Sequence, residues 1–156
     1  MSTHVLAPRP RFRSKTLTAT LAFFLGSLGG HRFYLYGVRD VMAWLHVVAT
    51  LAGIPGVLLL VESGRTVPLG WALAVPGAVS VLASFLAAIV YGLRPDAKWD
   101  AQFNAQCDER SRSGWAVVFV VIFSLFIGAL LLMAGLAVSF QTYFESQPDV
   151  NGSLSR

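Results

Sequence analysis

Four side chains able to carry charge or exchange a proton lie beside or inside apolar segments of this 156-residue chain: His31, Arg32, Asp40 and His46. Ionisable groups are costly at membrane depth and by default suggest a functional site. Arg32 needs acceptors, and Asp40 and nearby backbone carbonyls are the closest. We interpret His46 as a neutral imidazole hydrogen-bonded to a neighbouring helix, with a ligand or proton-relay role as the alternative.

These residues do not fall into a spacing typical of an enzyme or a metal centre. The sequence contains no CxxCH, HExxH or GxSxG motif. Haem ligation by paired histidines would need a partner for His31 or His46 at the same depth. The single cysteine, Cys107, excludes an internal disulfide and a cysteine-rich metal site. We therefore predict no catalytic site, no cofactor and no metal.

The composition places the chain among membrane proteins. Its mean hydropathy is +0.63, and 13% of its residues are charged. Three apolar runs, at residues 41–61, 71–91 and 115–140, each cover the roughly 30 Å of a bilayer core as helices. Basic residues sit beside these runs instead of forming a stripe interleaved with aromatics, which argues against nucleic-acid binding.

The predicted fold class is an all-α integral membrane protein: a helical hairpin, two further transmembrane helices and a short amphipathic interfacial helix. The predicted divisions are a disordered basic tail (1–12), the hairpin (13–61), a third membrane helix (67–91), a polar loop with the amphipathic helix (92–113), a fourth membrane helix (114–140) and a disordered tail (141–156). The basic residues before residue 17 resemble the start of a signal peptide, but no A-x-A-like site follows, so we expect no cleavage.

The polar loop carries acidic and amide residues at every fourth position: Asp96, Asp100, Asn104 and Asp108. Such a row favours a solvated helix face over a divalent-cation site, since it lacks clustered loop ligands. Trp99 and Phe103 lie on another face, which we expect to dip into the membrane surface.

Small residues occur at helical spacing in two segments. Gly26 and Gly30 form a GxxxG pair suited to close helix approach, although glycine is also simply common in membrane helices. In the later segment the small residues are Gly77, Ser80, Ser84 and Ala87, and we expect this face to pack against a neighbouring helix.

Residues 29–35, GGHRFYL, followed by Gly37, resemble the turn of the TM-two domain family in its bacterial form. The resemblance covers about residues 13–61, and PDAKWD at residues 95–100 is similar to a segment of longer bacterial members. It implies two membrane helices joined by a short turn, a bacterial inner-membrane location and no established catalytic site.

The path of the first apolar segment stays open. Residues 17–30 are too short for the bilayer core as a helix. If all four segments cross, the twelve Lys and Arg residues divide equally between the two sides. If residues 17–30 enter and return, only Arg65 and Arg156 lie on the opposite side, in agreement with the positive-inside rule.

The sequence favours a non-enzymatic scaffold, assembly or regulatory protein that acts through helix–helix contacts. In this interpretation Arg32 anchors the turn, and Phe33 and Tyr34 join an interfacial aromatic belt. The alternative is a small oligomeric transporter or channel that uses His46 or Arg32. The expected partners are the lipid bilayer and a second copy or another membrane protein, with no nucleic acid and no evident small-molecule substrate.

Overall fold

The computed structural model describes residues 11–147 and confirms the all-α membrane class. The elements are α1 (Lys15–Leu25), a 3₁₀ turn (Gly26–Leu28), α2 (Gly30–Tyr36), α3 (Val41–Glu62), α4 (Pro68–Leu93), α5 (Asp96–Phe103) and α6 (Trp115–Glu145). Within these residues there is no β-strand. Three helices, α3, α4 and α6, are long and apolar enough to cross a membrane.

The segment from α1 to α2 enters the bundle and returns to the end from which it started. Lys15, at the start of α1, donates to the carbonyl of Arg94 at the end of α4. Gly26, after the end of α1, lies against Ser84 well inside α4. The chain then reverses, and Tyr34 of α2 accepts a bond from the backbone N–H of Ser14 on its hydroxyl. The segment is therefore a hairpin that enters the bundle and returns, instead of one helix that runs from end to end of the molecule.

The molecule has two ends. The basic end comprises residues 11–14, 37–40 and 94–114, and the far end comprises residues 63–67 and 145. At the far end Arg65 Nη2 lies 3.0 Å from Glu145 Oε2, which brings the end of α6 beside the turn between α3 and α4. Both ends of the α1–α2 segment lie at the basic end, and α3, α4 and α6 are the helices that run between the two ends.

Helices α3 and α4 approach closely because glycines face each other. A Cβ on Gly53 would lie 2.8 Å from Gly77 Cα, and one on Gly56 would lie 2.4 Å from the backbone nitrogen of Ala74. These distances leave no room for a side chain. On α4 the buried small residues continue through Ser80, Ser84 and Ala88, so Ala88 takes the place predicted for Ala87.

Two sequence predictions are corrected here. Gly26 and Gly30 do not share a helix face: the helix is broken at Gly29, whose φ is +72°, and Gly30 packs against Leu25 of the preceding turn. The predicted tail at 141–156 begins later, because α6 continues through Glu145. Residues 1–10 and 148–156, where the rest of both predicted tails falls, lie outside the described residues.

Candidate functional site

The tip of the hairpin lies inside the bundle, where its backbone needs partners from protein. The Ser27 carbonyl oxygen accepts hydrogen bonds from Thr50 Oγ1 of α3 at 2.5 Å and from Ser80 Oγ of α4 at 3.1 Å. Because lipid offers no hydrogen bonds, irregular backbone is tolerated at membrane depth only where protein or water covers it. Thr50 and Ser80 therefore stabilise the turn, and sequence reasoning missed both Thr50 and Ser27.

Two histidines lie next to this tip. His46 Nδ1 is 2.8 Å from Ser80 Oγ, which is the bond to a neighbouring helix expected for this residue. The His31 ring is 2% exposed and meets His46 and Tyr91 with centroid separations of 5.7 Å each. Among the described residues His31 Nδ1 has no hydrogen-bond partner. The pair thus fills the space between hairpin, α3 and α4.

Arg32 and Asp40 close the hairpin at the basic end. Arg32 Nε lies 2.5 Å and Nη2 3.2 Å from the two Asp40 carboxylate oxygens, a bidentate pair. Asp40 is also the N-cap of α3, accepting from the Ala43 N–H at 3.2 Å. The hydrogen bond from Arg32 holds the pKa of the Asp40 carboxyl below its ordinary value. Arg32 therefore fixes the entry of α3 relative to α2.

Aromatic side chains surround this ion pair. Phe33 packs edge-on against Trp44, with ring centroids 5.5 Å apart. The Arg32 guanidinium lies over the Tyr36 ring at 5.1 Å, and Tyr36 also contacts Phe103 of α5. Tyr34 is held by the segment before α1: Arg13 Nη1 donates to its carbonyl. The turn residues are thus ordered by contacts within the protein.

Lys15 forms a second ion pair that joins the hairpin to α5. Its ammonium is 2.5 Å from Asp96 Oδ1, and the Lys15 side chain is 4% exposed against 32% for Asp96. Burial raises the pKa of Asp96, but hydrogen bonds from Lys15 and Ser113 outweigh it, so the net pKa lies below its ordinary value. A buried ammonium without this carboxylate would be strongly unfavourable.

Helix α5 packs on protein through Trp99, which corrects the prediction that this residue dips into the membrane, whereas Phe103 is half-exposed. Trp99 is fully buried and donates from Nε1 to the Arg13 carbonyl at 2.8 Å. Asn104, also fully buried, accepts from the Arg13 N–H at 2.8 Å and donates to the Arg13 carbonyl at 3.2 Å. Trp99 of α5 and Asn104, which follows this helix, thus bind the backbone of one residue before α1.

The prediction that the acidic row forms a solvated helix face is also wrong in part. Asp100 is 5% exposed and accepts from Asn104 and from both the N–H and hydroxyl of Ser111. These bonds hold the pKa of Asp100 below its ordinary value, although burial acts in the opposite direction. Across residues 11–147 no three metal-ligating side chains cluster together.

Six of the residues singled out from the sequence belong to the hairpin or to the start of α3: His31, Arg32, Phe33, Tyr34, Asp40 and His46. Among them, Arg32 pairs with Asp40 and His31 contacts His46. Residues 11–63 match the protein family described as the TM2 domain. This stretch is a TM2 domain. It comprises α1, α2 and α3, and ends just after α3.

The polar network extends beyond the TM2 domain. Asp96, Trp99 and Asn104 belong to the later part of the chain, yet they bind Arg13 and Lys15 at the start of the domain. No curated protein and no solved structure matches the chain. The TM2 domain here is therefore completed by contacts from α4 and α5.

Proposed function

We propose that this chain is a non-enzymatic scaffold, assembly or regulatory protein of a bacterial inner membrane, acting through helix–helix contacts. The observation that carries the proposal is the sparse packing of α6. Of its 31 residues only Val117 and Ser124 are buried, so one narrow strip attaches it to the bundle. A ridge of Phe119, Phe123 and Phe126 remains exposed on its outer side. Large aromatic rings supply dispersion contacts for a second helix.

The polar groups at membrane depth support a non-enzymatic role. Thr50 and Ser80 bind the hairpin tip, and His46 binds Ser80. Arg32 is occupied by Asp40. A transporter or channel that uses His46 or Arg32 would have to break these stabilising contacts during its cycle, which makes that alternative the less supported one.

Site-specific photo-crosslinking in native membranes tests the proposal. A photoreactive amino acid at Phe123 or Phe126 should give a discrete adduct with a second copy or another membrane protein. The same probe at Leu51, which is 56% exposed on α3, serves as a control on a different helix. Leu51 should give adducts with lipid alone. The same result at Phe123 and Phe126 would contradict a role based on contacts of α6.

A further inference from the structure

Helices α4 and α6 touch near the basic end and then separate. A Cβ on Gly92 would lie 2.3 Å from Val121 Cγ2, and one on Gly128 would lie 3.2 Å from Phe85 Cβ, so both glycines are in contact with the facing helix. Gly135, farther along α6, has no such neighbour within 4 Å. The separation leaves a crevice toward the far end between α3, α4 and α6.

This crevice has a volume of about 1160 Å³ and is lined almost entirely by apolar side chains. They include Ile54 and Leu58 from α3, Leu82 from α4, and Leu132 and Leu136 from α6. Packed interiors hold few voids larger than a water molecule. A space of this size between three helices long enough to span a bilayer is large enough to admit an acyl chain from the membrane.

Charged groups stand at the far end of the crevice. Arg65 lines it, and its Nη2 lies 3.0 Å from Glu145 Oε2. Trp71 Nε1 donates to the Arg65 carbonyl at 3.1 Å, which fixes the backbone there. A guanidinium carries five N–H donors, so Arg65 retains donors besides the one directed at Glu145. The far end therefore offers a donor-rich cation and a carboxylate side by side.

We propose that the crevice binds a zwitterionic, amine-bearing phospholipid. Its acyl chains occupy the apolar space beside Gly135. Its phosphate accepts hydrogen bonds from Arg65, and its ammonium pairs with Glu145. Charge complementarity selects this occupant: an anionic headgroup would suit Arg65 but would be repelled by Glu145. A transmembrane helix would offer apolar contacts but neither a phosphate nor an ammonium for the Arg65–Glu145 pair.

Native mass spectrometry of the full chain in detergent, titrated with phosphatidylethanolamine or phosphatidylglycerol, tests this site. We expect a single phosphatidylethanolamine bound about tenfold more tightly than phosphatidylglycerol, since one charge-assisted hydrogen bond contributes roughly that factor. Gly135→Leu should weaken this binding, because the new side chain projects into the crevice. Ala137→Leu places the same side chain on an exposed part of α6 outside the crevice and should leave binding unchanged.

Glu145→Gln tests the headgroup without altering the apolar space, and it keeps the assay informative if Gly135→Leu misfolds. It should remove most of the preference for phosphatidylethanolamine over phosphatidylglycerol. Equal affinity of the parent chain for the two lipids would overturn the proposal. So would unchanged lipid binding by folded Gly135→Leu, or a dimer that forms in place of the lipid complex and is lost with Gly135→Leu.

Discussion

Thr50 Oγ1 of α3 donates a hydrogen bond to the carbonyl oxygen of Ser27, at the point where the re-entrant hairpin reverses. An unsatisfied carbonyl at this depth would cost several kcal/mol. Ser80 of α4 supplies a second donor and is itself bound to His46. Side chains from both neighbouring helices thus make a turn inside the membrane energetically acceptable.

Removing these donors should destabilise the hairpin. Thr50→Val keeps the shape of the side chain and should cost about 1 kcal/mol, in the range of membrane hydrogen bonds. Thr50→Val combined with Ser80→Ala leaves the Ser27 carbonyl without either donor and should cost more than the sum of the single changes. Unfolding by SDS titration, followed by tryptophan fluorescence, measures these differences. Thr142→Val is the control, because Thr142 bonds only within α6. An equal loss of stability in Thr142→Val and Thr50→Val would contradict a special role for the Ser27 carbonyl.

The Arg32–Asp40 pair should give the protein a pH-dependent component of stability. The pKa of Asp40 is lowered in the folded state, so this component is fully present above the unfolded-state pKa of about 3.9 and disappears as pH falls through the folded-state value. Asp40→Asn retains a side-chain oxygen for the Ala43 N–H but loses the ion pair. We expect it to cost about 1–2 kcal/mol at pH 7 and much less at pH 3. If Asp40→Asn lowered the free energy of unfolding equally at pH 7 and pH 3, the pH-dependent role of the ion pair would be contradicted.

The Lys15–Asp96 pair predicts an asymmetry between its two partners. Asp96→Asn leaves a buried ammonium without its counter-charge and should cost about 2–3 kcal/mol, whereas Lys15→Met leaves a partly exposed carboxylate still bound by Ser113. Combining Lys15→Met with Asp96→Asn should recover part of the stability lost in Asp96→Asn alone. Hydrogen exchange of α5 measures the effect directly, because this ion pair holds α5 to the hairpin. Equal effects of the two single substitutions would argue against a buried Lys15.

The glycine contact between α3 and α4 predicts a position-dependent cost for one methyl group. Gly53→Ala would place Cβ 2.8 Å from Gly77 Cα and should cost about 1–3 kcal/mol through forced separation of the helices. Gly135→Ala adds the same methyl where nothing lies within 4 Å and should be neutral or slightly stabilising. Thermal unfolding in detergent compares the two. A Gly53→Ala variant as stable as Gly135→Ala would contradict the close crossing.

The three crossing helices were predictable because hydropathy is a local property of the sequence. The charge distribution likewise favoured the re-entrant path. The burial of Trp99 and Asn104 was not predictable, since both bind the backbone of Arg13, which is far away along the chain. The prediction from the Gly26/Gly30 spacing was wrong because it assumed one continuous helix, whereas the chain reverses at Gly29. Ser27, Thr50 and Ser80 carry side chains common in membrane helices, and only the fold shows that they meet.

The most direct test of the re-entrant hairpin is the side of the membrane on which its two ends lie. Single cysteines are introduced by Arg11→Cys, Val38→Cys or Glu62→Cys in a Cys107→Ser background, and labelled with an impermeant maleimide in intact and permeabilised cells. Residues 11 and 38 are exposed at the basic end, and Glu62 adjoins the far end.

We expect Arg11→Cys, Val38→Cys and the native Cys107 to be labelled from the same side of the membrane, and Glu62→Cys to be labelled from the other side. By the positive-inside rule the first three should label only after permeabilisation. Labelling of Arg11→Cys and Val38→Cys from opposite sides would show that α1 crosses the membrane and would contradict the hairpin.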